Sequence, residues 1–107
     1  MNKNNISNKE INLFIGLKKQ DMKTTIKKQI ALKTISNALL NVGVIGFNVS
    51  SIYGYWDGKK ENALLIKFIN TFKINKKQLH KAILQIKKQL DQEAILIQIN
   101  PTVFEFQ

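Results

Sequence analysis

The chain has no cysteine and no arginine, and only one proline, one histidine and one tryptophan among its 107 residues. Without cysteine there is no disulfide, no thiolate metal site and no cysteine nucleophile, and the missing disulfides fit a cytoplasmic protein. Without arginine the chain lacks the planar fork that grips carboxylates and phosphates through two parallel hydrogen bonds. His80 is the sole histidine, so one chain offers no His–His metal pair and no histidine-based triad. Beside Leu79, at the polar edge of a helix, it reads as a solvated side chain. Acidic residues are scarce, seven in all. Asp57 belongs to a turn, Asp91 to a helix end, and Glu10 and Glu105 to the termini. Glu61 and Glu93 each stand near the start of an aliphatic strand. No glycine opens a helix after a strand and no G-x-x-x-x-G-K-[ST] occurs, so neither a dinucleotide fingerprint nor a P-loop is supported. The apolar runs fall short of the roughly 18 residues a membrane span needs, and Met1-Asn2-Lys3-Asn4-Asn5 leads into no signal-peptide core. These absences set the expectation of a cytoplasmic, non-enzymatic protein with no cofactor, no metal and no membrane contact.

What is abundant is lysine. All 17 basic residues are lysines, for a formal net charge of +10. Together with the many Ile and Asn residues this composition looks like that of an AT-rich coding genome. A strongly basic chain is attracted to nucleic acid, nucleotides and acidic partners, which is a statement about association rather than fold. The length is that of one domain. The expected organisation is a flexible N-terminus over 1–9 and a single domain over 10–107. A chain of this size buries roughly two-thirds of its unfolded surface, enough for a core without staples.

Hydrophobic periodicity supplies the elements. Ile11 to Leu17 reads as a strand, with Ile11, Leu13, Ile15 and Leu17 on one face and Phe14 on the other. A helix is expected from Thr24 or Thr25, either of which can cap it, to Asn41. Its stripe is Ile26, Ile30, Ile35, Ala38, Leu39 and Val42, and Gly43 is the C′ residue. Val44 to Trp56 is a long extended segment, with a bend expected near 46–51 or a strand that outruns its own sheet. Asp57-Gly58 marks a type I′ hairpin turn, and Ala63 to Ile69 returns from it. The second helix is the plainest, with Asn75 as N-cap, Gln78 completing a capping box and an Ile74–Leu79 staple. Leu79, Ala82, Ile83, Ile86 and Leu90 form its apolar stripe. Ala94 to Ile99 is the last strand, and Val103 to Phe106 a short alternating tail. The order β-α-β-β-α-β with right-handed crossovers predicts an α+β, ferredoxin-like sandwich, a four-stranded antiparallel sheet with both helices on one face. The other face then lacks cover from its own chain, and Phe14 points towards it. That predicts a homo-oligomer.

The hairpin carries the candidate working surface. Tyr53, Tyr55 and Trp56, with Lys59 and Lys60 past the turn, suit either a stacking and phosphate-binding surface or burial against a neighbouring subunit. Tyr53 and Tyr55 share one strand face and Trp56 lies on the other, which divides the cluster. Glu61 offers a pairing to Lys59 or to a neighbour's lysine. Lys59, Lys60 and Glu61 are the preferred contact residues.

Around this hairpin, Ser51-Ile52-Tyr53, Trp56, Gly58-Lys59, Glu61 and Leu64-Leu65-Ile66-Lys67 resemble the second and third strands of the CutA family, within the PII-like set of trimeric ferredoxin-like proteins. Gly46-Phe47, Gly54-Tyr55-Trp56, Gly58 and Glu61, followed by Leu90-Asp91-Gln92-Glu93-Ala94-Ile95, are also similar to small phage-encoded proteins. The resemblance implies a compact oligomer, a trimer by preference, that binds near the hairpin without catalysis. Absence of the cysteine often seen in CutA-type segments argues against copper binding. The function expected is thus a phage-encoded binding protein. Its 51–62 hairpin holds an anionic, nucleotide-like ligand or a host protein, the latter in an anti-defence role. The alternative is nucleic-acid binding through the lysine-rich helix faces, where phosphate contacts dominate.

Overall fold

The structure, a computed structural model, describes residues 5–107, without the side chain of Trp56. The elements run β1 (Glu10–Gly16), α1 (Lys28–Asn41), β2 (Asn48–Trp56), β3 (Lys59–Ile69), α2 (Lys76–Gln89) and β4 (Leu96–Asn100). One antiparallel sheet has the order β2-β3-β1-β4, and the two helices pack on each other over one of its faces. This is the expected ferredoxin-like sandwich.

The core lies between sheet and helices because strand side chains alternate while helix side chains recur every three to four residues. Ile11, Leu13 and Ile15 of β1 stand opposite Phe68, Ile66 and Leu64 of β3, and all six are buried. They meet Ala31, Ile35, Ala38 and Leu39 of α1 and Leu79, Ala82, Ile83 and Ile86 of α2. Asn70 is buried among them with its side chain satisfied: its amide donates to the carbonyls of Ile6 and Ile74, and its oxygen accepts from the Ile74 N–H.

Several boundaries depart from the sequence reading. Helix α1 begins at Lys28, and neither threonine caps it. Lys27 occupies the N-cap position without a side-chain bond, because Thr24 is held by Asp21 in the preceding loop. The later start shifts the buried stripe to Ala31 and leaves Ile30 56% exposed. Strand β2 starts at Asn48 rather than Val44. Gly43, at φ +96°, and Val44 close the end of α1 instead, with the Gly43 N–H on Leu40 and the Val44 N–H on Leu39. That double bond is a Schellman closure. It removes the excess length that the strand would otherwise have. Residues 5–9, expected to be flexible, are tied in: Ile6 is buried, and the Asn8 N–H donates to the Asn70 carbonyl. The tail over 103–106 joins no strand. Among the described residues, no helix is long and apolar enough to cross a membrane.

Candidate functional site

In this topology β1 and β2 end, and β3 and β4 begin, at the same edge of the sheet. Three connections therefore converge there: the loop after β1, the β2–β3 turn and the segment between α2 and β4. They enclose a cleft of about 690 Å³. Its walls include Phe14, Gly16, Lys18 and Lys19 from β1 and its loop, Ile52, Tyr53 and Tyr55 from β2, Glu61 and Ala63 from β3, Gln92 and Glu93 from the last connection, and Leu96 at the start of β4.

Each wall is fixed by local chemistry. Asp57 at φ +50° and Gly58 at φ +72° make the hairpin turn with both central residues left-handed, as the Asp-Gly pair predicts. The register puts Gly54 opposite Glu61, Tyr55 opposite Lys60 and Tyr53 opposite Asn62. Gly54 has nothing within 4 Å of where a Cβ would stand, so the space beside Glu61 is open. The β1 loop is pinned on both sides. Leu17 N–H donates to the Asn62 carbonyl at 3.1 Å and Gln20 N–H to the Asp91 carbonyl at 3.0 Å. The Gln20 amide also reaches the Asp91 carboxylate at 2.8 Å. Helix α2 ends in a second Schellman closure, in which Asp91 at φ +51° takes the place usually given to glycine. The Gln92 N–H bonds the Lys87 carbonyl at 2.8 Å. That closure aims Gln92 back towards the β1 loop, where its amide donates to the Lys18 carbonyl at 2.7 Å.

The sequence-predicted residues divide. Tyr53, Tyr55 and Glu61 line the cleft; Lys59 and Lys60 do not. Lys60 instead places its Nζ 4.4 Å from the centre of the Tyr53 ring, a cation–π contact on the outer strand surface. Tyr53 and Tyr55 meet edge to face at 6.4 Å and stay 63% and 71% exposed. The side chain of Trp56 lies outside the described residues. Glu61 makes no ion pair with Lys59; among the described residues the ion pair present is Lys67–Glu10, at 3.4 Å. Sequence reasoning missed Gly16, the loop from Lys18 to Met22 and Gln92. The signal that would have found them is topological, since the β-α-β-β-α-β order brings all three connections to one sheet edge.

His80 is exposed. It lines a separate hollow of about 640 Å³ with Lys73, Lys76 and Lys77 at the start of α2.

No family model and no curated protein matches the chain. Solved structures share its fold. A phage SAM lyase in complex with S-methyl-5'-thioadenosine is 16% identical at a TM-score of 0.64, with 88% of this chain and 81% of that chain covered. A phage SAM lyase in its apo state is 17% identical at the same TM-score, 0.64, covering 94% and 85%. A DUF3240 family protein from Shewanella baltica is 12% identical at a TM-score of 0.52, covering 94% and 97%. At these identities the likeness shows a common fold. It also corrects one expectation. The reading of the chain as non-enzymatic rested on its missing nucleophile–base pair, and the likeness to a lyase over most of the chain overturns it.

Proposed function

We propose that the chain is a phage-encoded enzyme of the lyase type. It would bind a sulfonium nucleoside such as S-adenosylmethionine in the cleft at the β2–β3 turn and cleave its carbon–sulfur bond. The observation that carries this reading is the cleft's lining. In a chain of net charge +10, its lining includes two acidic residues, Glu61 and Glu93, and Phe14, whose side chain shares the sheet face of Glu61, while Tyr53 and Tyr55 border the cleft from the strand's other face. A carboxylate and an aromatic face attract a sulfonium cation, and the Phe14 ring also offers a stacking surface for a purine. A cationic centre on the ligand revises the purely anionic ligand expected from the charge alone.

The missing nucleophile–base pair is compatible with this chemistry. A sulfonium already carries positive charge, so the sulfur leaves with the electron pair of the broken carbon–sulfur bond as a neutral thioether and needs no general acid. As that bond breaks, the carboxylate of the ligand's own four-carbon arm attacks the carbon the sulfur leaves and closes a lactone, so no proton acceptor is needed. Glu61 then serves to seat the cation and orient the chain for departure. Support for a homo-oligomer comes from the sheet face away from the helices, where the cleft runs onto Phe14 and Leu96. A second copy over that face would close the cleft. The trimer implied by the CutA resemblance is kept as part of this proposal.

The test is direct. Purified protein incubated with S-adenosylmethionine should release S-methyl-5'-thioadenosine, followed by chromatography. Glu61→Gln should lower kcat/KM by about 30-fold, the scale of one charge-assisted contact, and leave thermal unfolding unchanged. Absence of product from wild-type protein, or full activity in Glu61→Gln, overturns the reading.

A further inference from the structure

Gln92 is 8% exposed, and its amide nitrogen is fully committed. Nε2 donates to the Lys18 carbonyl at 2.7 Å and to the Leu90 carbonyl at 3.3 Å. Two carbonyls can be served only by the NH₂ end of the amide, so the orientation of the group is settled by its partners. The carbonyl end, Oε1, therefore faces the other way. It lies over Gly16, 3.6 Å from where a Cβ at that position would stand, on the cleft wall that both residues line. The hydrogen bonds of the side chain among the described residues all run through Nε2. A nearly buried side chain thus presents one fixed acceptor to the cleft, and the bare backbone of Gly16 keeps it uncovered.

We infer that Gln92 Oε1 reads an amino group of the ligand by accepting a hydrogen bond from its N–H. This rests on the cleft being the ligand site, and it adds the chemical class that the site selects. The oxygen cannot be exchanged for the NH₂ by rotating the amide, because that would strand the Lys18 and Leu90 carbonyls. A ligand bearing a carbonyl oxygen at that point would meet lone pair against lone pair. Discrimination of this kind exceeds what apolar contacts give, because the mismatched pair leaves two polar groups without partners. In an adenosine sulfonium the amino group has two sources, the exocyclic amine of the purine and the α-ammonium of the amino-acid arm.

Gly16→Ala is the informative variant. The residue has no positive φ, and an added Cβ would meet only Gln92 Oε1, at ordinary contact distance. The variant therefore folds normally, keeps the Lys18 and Leu90 bonds and covers the acceptor. Calorimetric binding would compare S-methyl-5'-thioadenosine with its 6-oxo counterpart S-methyl-5'-thioinosine, and kcat/KM would compare S-adenosylmethionine with its des-amino counterpart. Wild-type protein should prefer the amino member of one pair by about tenfold, the worth of one hydrogen bond, and the pair affected identifies the amine. Gly16→Ala should reduce that preference to about unity with unfolding temperature unchanged. No preference within either pair in wild-type protein overturns the role of Gln92 while leaving the ligand class intact. So does an equal loss for both members in Gly16→Ala. Absence of both thionucleoside binding and turnover of the sulfonium pair removes the ligand reading itself and this inference with it.

Discussion

Asp21 shows how one side chain shapes the rim of the cleft. Its Oδ1 accepts from the N–H groups of Lys23 and Thr24, both at 2.8 Å, and its Oδ2 accepts from the Thr24 hydroxyl. The carboxylate folds the stretch that carries Lys18, Lys19 and Met22 to the cleft wall. These bonds favour the charged form, the Thr24 hydroxyl most, then the Thr24 N–H and the Lys23 N–H, and they hold the pKa down to about 2 from an ordinary 3.8. The unfolded chain therefore binds more protons than the folded one between these values, and stability rises with pH across that window. The contribution of Asp21 is complete above pH 4 and is lost as pH falls towards 2. Asp21→Ala should be less stable than wild type at pH 6, and the two should converge near pH 2 in urea unfolding followed by circular dichroism. A gap of the same size at both pH values would show that the carboxylate's charge is not what matters. Asp21 and Thr24 also explain a miss in reading the sequence. Thr24 was a sound helix cap on its own terms, but a nearer acidic residue claims both its N–H and its hydroxyl.

Among elements, the two helices differ in how openly they declare themselves. The start of α2 is written in adjacent residues: Asn75 accepts from the Gln78 N–H and Gln78 accepts from the Asn75 N–H, each at 2.8 Å. The start of α1 is not, since Lys27 offers no acceptor and the first turn has no acidic residue. A lysine at that position also sets a positive charge against the positive end of the helix dipole. Its backbone, at φ −63° and ψ 132°, already has the extended geometry of a cap. Lys27→Asp should therefore stabilise the protein by about 1 kcal/mol, read as a higher urea midpoint with an unchanged slope. A lower midpoint would mean that Lys27 serves another contact. The same distinction governs what was legible of the site. The hairpin, with Tyr53, Tyr55 and Glu61 on it, follows from the Asp57-Gly58 turn and strand alternation, which are local patterns. Gln92 owes its place to a carbonyl 74 positions away in sequence, and no short window of residues contains that contact. The elements and their order were legible for the same reason that the cleft was not: periodicity is local, and the convergence of three connections is a property of the assembled sheet.

For the whole molecule, the proposed self-association rests on the sheet face away from the helices. The register places Ser50, Leu65, Phe14 and Leu96 in one row across all four strands, with Ile52, Ala63 and Gly16 in the next. Leu96 is 66% exposed, and in the row on the other side of Phe14 the Oδ1 of buried Asn12 has no hydrogen-bond partner among the described residues. An apolar band beside an unsatisfied acceptor is a surface that gains from being covered. Opposing this, every copy carries a net charge of +10, so like-charge repulsion resists assembly at low ionic strength and is screened at about 10 Å in 0.1 M salt. Self-association through this face should therefore strengthen as salt is raised. Nucleic-acid binding through the lysine-rich helix faces would weaken over the same range, because it releases condensed counterions. Light scattering should give a trimer's mass at 0.3 M salt and a smaller mass at 20 mM. Leu96→Asp, at a position whose exposure spares the monomer's core, should give a monomer under both conditions with an unchanged circular dichroism spectrum. A monomer at high micromolar concentration in both salts would leave the cleft to work within one chain. An unaltered mass in Leu96→Asp would move the contact to a different face, and the cleft would then stay open on the side where a second copy was to close it.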